Sequence, residues 1–286
     1  MLTTKQKMWL AALAQKLVVS PRRIFGKGDL LVVDRAGIRW ELDLREGIDF
    51  SIYLLGVFEP GTAKTLSRLI KPGDVVFDIG ANIGAHTLKM AQAVGSSGKV
   101  FAIEPSDFAF AKLNRNFSLN PQLKPRVNTE QLFLAEKVSD SYPSQVYASW
   151  PLRGDVTVHS KHRGRLVSTS KASITTLDDF VRQRDIKRVD LIKIDVDGAE
   201  LPILEGGHAT LSRYHPKLVM ELAPYAHAEQ NHSFGDLVEL LRSTGYALQN
   251  ADGGKPVPLD LVQLERLIPD GASMNVVCTS RSASSA

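Results

Sequence analysis

The stretch "VVFDIGANIGAHTL", Val75 to Leu88, crowds a carboxylate, two glycines, an asparagine and a histidine into one turn. Val75, Val76 and Phe77 read as a buried strand of a parallel sheet. Gly80 and Gly84 then mark a tight bend, and from Ala85 to Ala93 the pattern is helical, with Leu88, Met90 and Ala91 on its apolar side. Strand, glycine turn and helix together let backbone approach a ligand closely and aim a helix N-terminus at it, as nucleotide-like cofactors require. Twenty residues beyond Gly84, Glu104 ends the next strand, where a carboxylate can take both hydroxyls of a ribose.

Two ligand classes use such a turn, dinucleotides and S-adenosylmethionine. A dinucleotide site reads GxGxxG, with the pyrophosphate against backbone N–H groups. Here Asn82 replaces the central glycine, Gly84 comes one residue late, and Asp78 sets a carboxylate at the mouth of the strand. That charge repels a pyrophosphate and attracts the ammonium and sulfonium of S-adenosylmethionine. Glu104 suits both classes. No Tyr-x-x-x-Lys pair occurs in the chain, which counts against a short-chain dehydrogenase.

The elements around this turn alternate. Lys5 to Val19 reads as an amphipathic helix, packed on its own domain or lying on a membrane surface, rather than a signal peptide, whose apolar run Gln15 and Lys16 would interrupt and whose cleavage site would fall at Pro21-Arg22-Arg23. Leu30 to Leu44 forms two strands around Arg35-Ala36-Gly37, and Pro60 to Ile70 a helix. Strands follow at Lys99–Pro105 and within Arg126–Ala135. The segment 136–171 is polar, basic and irregular, a lid-like insertion whose Tyr147, Trp150, His159, His162 and Arg163 could meet an acceptor. Strands at Val189–Gly198 and Lys217–Pro224 come next, then a helix and a final pair, "YALQN" and "MNVVCTS", with no helix between them and therefore an antiparallel hairpin. The expectation is an α/β fold, a mostly parallel sheet with right-handed crossovers and helices on both faces. The expected units are an N-terminal helix and β-rich extension over 1–55, the cofactor domain over 56–280, and a disordered tail over 281–286.

Composition excludes several classes. Thirty-five basic and 31 acidic residues leave a formal charge of +4 without a Lys/Arg-dense block, so nucleic acid is not implied. A single cysteine, Cys278, rules out an internal disulfide framework and a CxxC metal site, and fits a reducing, cytoplasmic setting. No run approaches the ~20 apolar residues of a bilayer span, so no stable membrane insertion is expected. His227 and His232 read as surface histidines without a third metal partner.

Four segments, "GVFEPGT" (Gly56 to Thr62), "KPGDVVFDIGANIGAHTL" (Lys71 to Leu88), "GKVFAIEPS" (Gly98 to Ser106) with "LNRNFSLN", and "SITTLDDF" with "VDLIKIDVDGAELPILEGG" (within Ser173 to Gly207), resemble the FkbM-like family of class I S-adenosylmethionine-dependent methyltransferases. The resemblance implies a Rossmann-like seven-stranded sheet, and methyl transfer to a hydroxyl of a sugar, lipid, glycan or secondary metabolite. It implies cofactor contacts from Asp78, Gly80, Asn82, Gly84 and Glu104, with Glu59 at a family position near the cofactor. Where the family has "DVEGAE" this chain has Asp197 for the glutamate, which keeps the charge and retracts it.

Methyl transfer needs donor and acceptor aligned and water excluded, and a hydroxyl acceptor gains from a base. Asp195, at the carboxyl end of the fourth strand, is the first candidate to orient or deprotonate the acceptor, with His86 and Glu221 behind it; alternatively Asp195 only holds the methionine ammonium. Asp195 and Asp197 share a face if that strand stays extended. Asp195, Asp197 and Glu221 offer no full oxygen set for a metal. A nicotinamide oxidoreductase is disfavoured by Asp78 and Asn82. A catalytically silent binding module has no use for Asp78, Glu104 and Asp195 together.

Overall fold

The computed structural model describes residues 4–138, 142–152, 158–160 and 163–280 of the 286-residue chain. Helix α1 (Thr4–Ile24) opens it, running through Pro21 in its last turn, and leads to the hairpin β1 (Leu30–Arg35) and β2 (Ile38–Asp43). Ala36 and Gly37 both take positive φ, as a tight two-residue hairpin turn of primed type needs. Helices α2 (Gly47–Leu55) and α3 (Pro60–Leu69) lead to β3 (Val75–Ile79), α4 (Thr87–Ala93), β4 (Lys99–Ile103), α5 (Asp107–Ser118) and β5 (Val127–Glu130). Short strands β6 (Leu132–Leu134), β7 (Gln145–Ser149), β8 (Arg165–Ser168) and β9 (Ser173–Thr175) precede α6 (Leu177–Gln183) and β10 (Leu191–Ile194). The chain closes with α7 (Glu200–Glu205), α8 (His208–Tyr214), β11 (Lys217–Leu222), α9 (Pro224–Glu229), α10 (Phe234–Ser243), β12 (Tyr246–Asn250), β13 (Pro256–Val257), α11 (Leu261–Leu267) and β14 (Met274–Ser280).

The main sheet runs β13-β12-β14-β11-β10-β3-β4-β5. It has eight strands where seven were expected, because the two-residue β13 pairs onto the edge of β12. Strands β5, β4, β3, β10 and β11 are parallel, and β14 runs antiparallel between β11 and β12. The antiparallel last pair is therefore present, but α11 lies between its strands; Asp260 caps that helix by accepting the Gln263 N–H at 2.9 Å. Chain order reverses between β3 and β10, where open α/β sheets leave a crevice at their carboxyl edge.

Strand alternation sorts the core into two layers. Phe77, Ile79, Phe101, Ile103, Ile192, Ile194, Leu218 and Met220 face α6, α7, α10 and α11 through Phe180, Leu204, Leu241 and Leu264. The intervening residues Val76, Val100, Leu191, Val219 and Val277 face Ile38, Trp40, Ile52, Leu66, Leu88 and Leu113. The β1–β2 hairpin thus shares its core with the sheet. The segment 136–171 is less irregular than its composition suggested: β7 and β8 pair antiparallel. That hairpin is held at the site, with Asn82 donating from Nδ2 to the Ala148 carbonyl at 3.3 Å and Ser149 donating to Glu46 at 2.9 Å. His162 and the tail 281–286 lie outside the described residues. No helix among the described residues is long and apolar enough to cross a membrane.

Candidate active site

On the second face of the sheet the side chains turn polar as the strands reach their carboxyl ends. Val76 is followed two residues on by Asp78, Leu191 by Lys193, Val219 by Glu221, and Ala102 by Glu104. Register then sets Lys193 beside Asp78 across β10 and β3, and Glu221 beside Asn275 across β11 and β14. Above this edge lies a cavity of about 630 Å³, in the range of small-molecule sites, lined also by residues of α1, α2 and the β7 hairpin.

At one end Glu104 is 3 % exposed. Ser106 donates to its Oε1 from the backbone N–H (2.9 Å) and from Oγ (2.6 Å), and the Asn82 N–H donates to Oε2 at 2.9 Å. Burial raises this carboxyl above its ordinary range, and these three donors pull it back in part. Gly80 and Asn82 line the cavity beside it. A Cβ on Gly80 would lie 2.0 Å from the Asp195 carbonyl oxygen, so glycine is required where two strand ends meet.

Two residues expected at the cofactor stand elsewhere. Asp78 is fully buried and off the cavity wall; the Thr87 hydroxyl donates to its Oδ2 at 2.6 Å and Lys193 Nζ lies 3.4 Å from Oδ1. Thr87 and Lys193 hold its carboxylate in the interior, so the acids that face the cavity are others. Gly84 also leaves the wall: its Cβ would sit 2.8 Å from Leu113 Cδ1, a packing position under α5.

Those other acids gather at the opposite end. Glu59, Asp195, Asp197 and Glu221 line the cavity with Lys193 and His86. The strand stops at Ile194 and Asp197 takes φ +50°, so Asp195 and Asp197 do not share an extended face; the turn brings both to the cavity instead. Lys193 Nζ lies 3.3 Å from Asp195, whose side chain remains 30 % exposed to the cavity. Burial works against the Lys193 charge, but Asp195 and Asp78 outweigh it and hold the ammonium above its ordinary range. Burial pushes the Asp197 and Glu221 carboxyls well above theirs. Asp195 is raised for the same reason, against the pull of Lys193.

His86 is 4 % exposed and neither ring nitrogen has a hydrogen-bond partner; Nε2 is 3.9 Å from Glu59 Oε2, and the ring packs against Phe58. Glu59 is held in place by Thr62, whose hydroxyl donates at 3.1 Å, and by Asn275 Nδ2 at 3.4 Å. Burial pushes Glu59 up, but His86, Lys193 and Thr62 together bring it below its ordinary range. Glu59, Asn82 and Asp197 all adopt left-handed backbone, strain that concentrates where a site over-determines the chain.

Sequence reasoning missed Lys193, Thr62 and Asn275. A lysine between Ile192 and Ile194 in a buried strand was the available signal, because such a charge persists only when paired. Of the histidines after β11, both expected at the surface, one is fully buried and the other half-buried. His227 is fully buried, 3.1 Å from Glu200, and His232 Nδ1 lies 2.9 Å from the Gly198 carbonyl. Neither lines the cavity. Among the described residues no cluster of acids, histidines and cysteines could hold a metal ion.

A model of the methyltransferase FkbM domain matches residues 78–248. The 2-O-methyltransferase NoeI of Sinorhizobium fredii is 25% identical over 189 residues, 59% of this chain and 76% of that protein. The 31-O-demethyl-FK506 methyltransferase FkbM of Streptomyces tacrolimicus is 26% identical over 204 residues, 63% of this chain and 75% of its own. Among solved structures, a methyltransferase FkbM from Methylobacillus flagellatus aligns with 79% of this chain and 49% of that one, at 17% identity and a TM-score of 0.45.

Proposed function

The chain belongs to the FkbM methyltransferase family, and from that premise we propose that it moves a methyl group from S-adenosylmethionine to a hydroxyl of a sugar, glycan, lipid or secondary metabolite. Family membership displaces the nicotinamide and silent-scaffold readings. The observation that carries the proposal is that one cavity joins a ribose-type acid, Glu104, to a buried histidine with two unpartnered nitrogens, His86. The acids along the cavity suit a ligand bearing an ammonium and a sulfonium, and the cavity is large enough for one.

When bound, S-adenosylmethionine supplies an electrophilic methyl carbon and leaves as a neutral thioether. Glu104 would hold the ribose hydroxyls through the oxygen capacity that Ser106 and Asn82 leave open. Asp195, steadied by Lys193 at 3.3 Å, is the group to hold the methionine ammonium, since its side chain faces the cavity. His86 is the group to accept the acceptor hydroxyl's proton, and Glu59 beside it stabilises the imidazolium that forms. This ranks His86 ahead of Asp195 as base, because Asp195 is already tied to an ammonium. Tyr147 and Trp150, on and just after β7, line the cavity and offer aromatic faces on which a sugar ring would lie.

The test is methyl transfer from labelled S-adenosylmethionine to a panel of neutral sugars, glycolipids and polyhydroxylated metabolites. Label in an alkali-stable ether supports the proposal. Label found only on nitrogen, or none transferred by a protein that binds S-adenosylhomocysteine, sinks the hydroxyl reading.

A further inference from the structure

The cavity-facing side of α1 is accounted for, but its outer side is not. Inward, Met8, Ala11, Ala14, Val18 and Val19 pack against Leu44, Phe50 and Leu152, and the buried Gln15 donates to the Leu44 carbonyl at 2.8 Å. Outward, Leu10, Leu13, Leu17 and Ile24 follow one another at spacings of three, four and seven residues, which places them on a single stripe of the helix. They are 46, 46, 72 and 81 % exposed, with Trp9 at 65 % beside them and Phe25 at 79 % just past the helix end. A contiguous apolar stripe of this kind marks an interaction surface.

Charge says which one. From residue 4 to residue 28 the chain carries Lys5, Lys7, Lys16, Arg22, Arg23 and Lys27 and no acidic residue. On the helix, Lys5 and Lys16 flank one side of the stripe and Lys7 the other, all of them exposed. Arg23 is engaged by Asp29 and Arg22 reaches Tyr53 at 3.3 Å, so the lysines set the outward charge. Two copies of the helix joined along this stripe would bring like charges together, whereas an anionic surface would neutralise them. The helix is also unsuited to crossing a bilayer. A basic-flanked apolar stripe with an aromatic at its edge is the design of a helix lying in an interface.

We propose that α1 docks the protein, lying flat, on a lipid bilayer that bears anionic headgroups. Lys7, Met8 and Ala11 of the same helix line the cavity, so docking sets the cavity beside the lipid surface. The docking stands apart from the methyl-transfer chemistry and fails or succeeds independently of it.

The experiment is co-sedimentation of the full chain with vesicles of phosphatidylcholine alone and of phosphatidylcholine mixed with phosphatidylglycerol, for the wild type and a Leu13→Glu/Leu17→Glu double variant. Binding to the mixed vesicles is expected, falling about tenfold or more in the double variant and weakening in high salt. An unchanged circular-dichroism spectrum and thermal melt of the double variant show that it is folded. No sedimentation with either vesicle, equal binding to both, or equal binding by the double variant overturns the proposal. So does a wild-type dimer that the double variant converts to monomer, because the stripe would then belong to a second copy.

Discussion

Lys193 and Asp78 stand in register on neighbouring parallel strands, Nζ 3.4 Å from the carboxylate, with Asp195 3.3 Å away from the same ammonium. One buried cation therefore ties an acid inside the sheet to an acid on the cavity wall. Replacing it with a shape-matched apolar residue, Lys193→Met, leaves Asp78 buried without a cation. A loss of about 3–5 kcal/mol is expected in urea unfolding. Asp78→Asn added to Lys193→Met should recover part of it; equal stabilities for wild type and Lys193→Met would show that the lysine is not bearing on Asp78.

Glu104→Gln keeps the size and removes the charge that would receive the ribose hydroxyls. Charged hydrogen bonds contribute about 1.5–3 kcal/mol, so S-adenosylhomocysteine affinity should fall by about ten- to a hundredfold in calorimetric titration. An unchanged Kd would move the ribose away from this residue.

His86→Ala should separate binding from turnover. The expectation is a kcat reduced by about 10²–10⁴ with S-adenosylhomocysteine affinity held within about twofold, since general-base catalysis is worth that range. Asp195→Asn should show the reverse weighting, a loss in cofactor affinity that exceeds the loss in kcat. A His86→Ala enzyme of full rate returns the base to Asp195 or Glu221.

Burial raises the Glu221 carboxyl, so the folded protein keeps a proton there that the unfolded chain releases above about pH 4. Its contribution to stability is present below that pH and is lost as pH rises towards the raised value. Glu221→Gln removes the ionisation. The variant should be more stable than the wild type near neutrality, and thermal melts between about pH 4 and 8 should show the gap widening with pH. A gap that stays constant with pH would mean that Glu221 ionises at its ordinary carboxylate pH, and one that narrows that its carboxyl is lowered.

Gly80→Ala tests the contact between strand ends. A side chain there meets the Asp195 carbonyl and must hold φ at +77°. Stability and S-adenosylhomocysteine affinity should fall together, by at least about 1–2 kcal/mol in stability from the backbone conformation alone. Retained affinity in a stable Gly80→Ala protein would show that the Asp195 turn can move without consequence.

Local features could be read from the amino-acid order alone. Short apolar runs such as Val75–Phe77 announced the strands, glycines at Gly80 and Gly84 the turn, and the distance to Glu104 a nucleoside ligand, because each depends on neighbours close in the chain. The short α11 was not anticipated, although Asp260 supplies its N-cap. Tertiary structure decided which way each side chain points. Asp78 faces inward because Lys193, from a strand more than a hundred residues later, meets it there. Glu59, His86, Asp195 and Asn275 come from four separate elements, and no spacing along the chain relates them. Only the sheet order, which places β10 beside β3 and β14 beside β11, gathers them at one cavity, where burial and Coulomb interaction shift the carboxyls of Glu59 and Asp195.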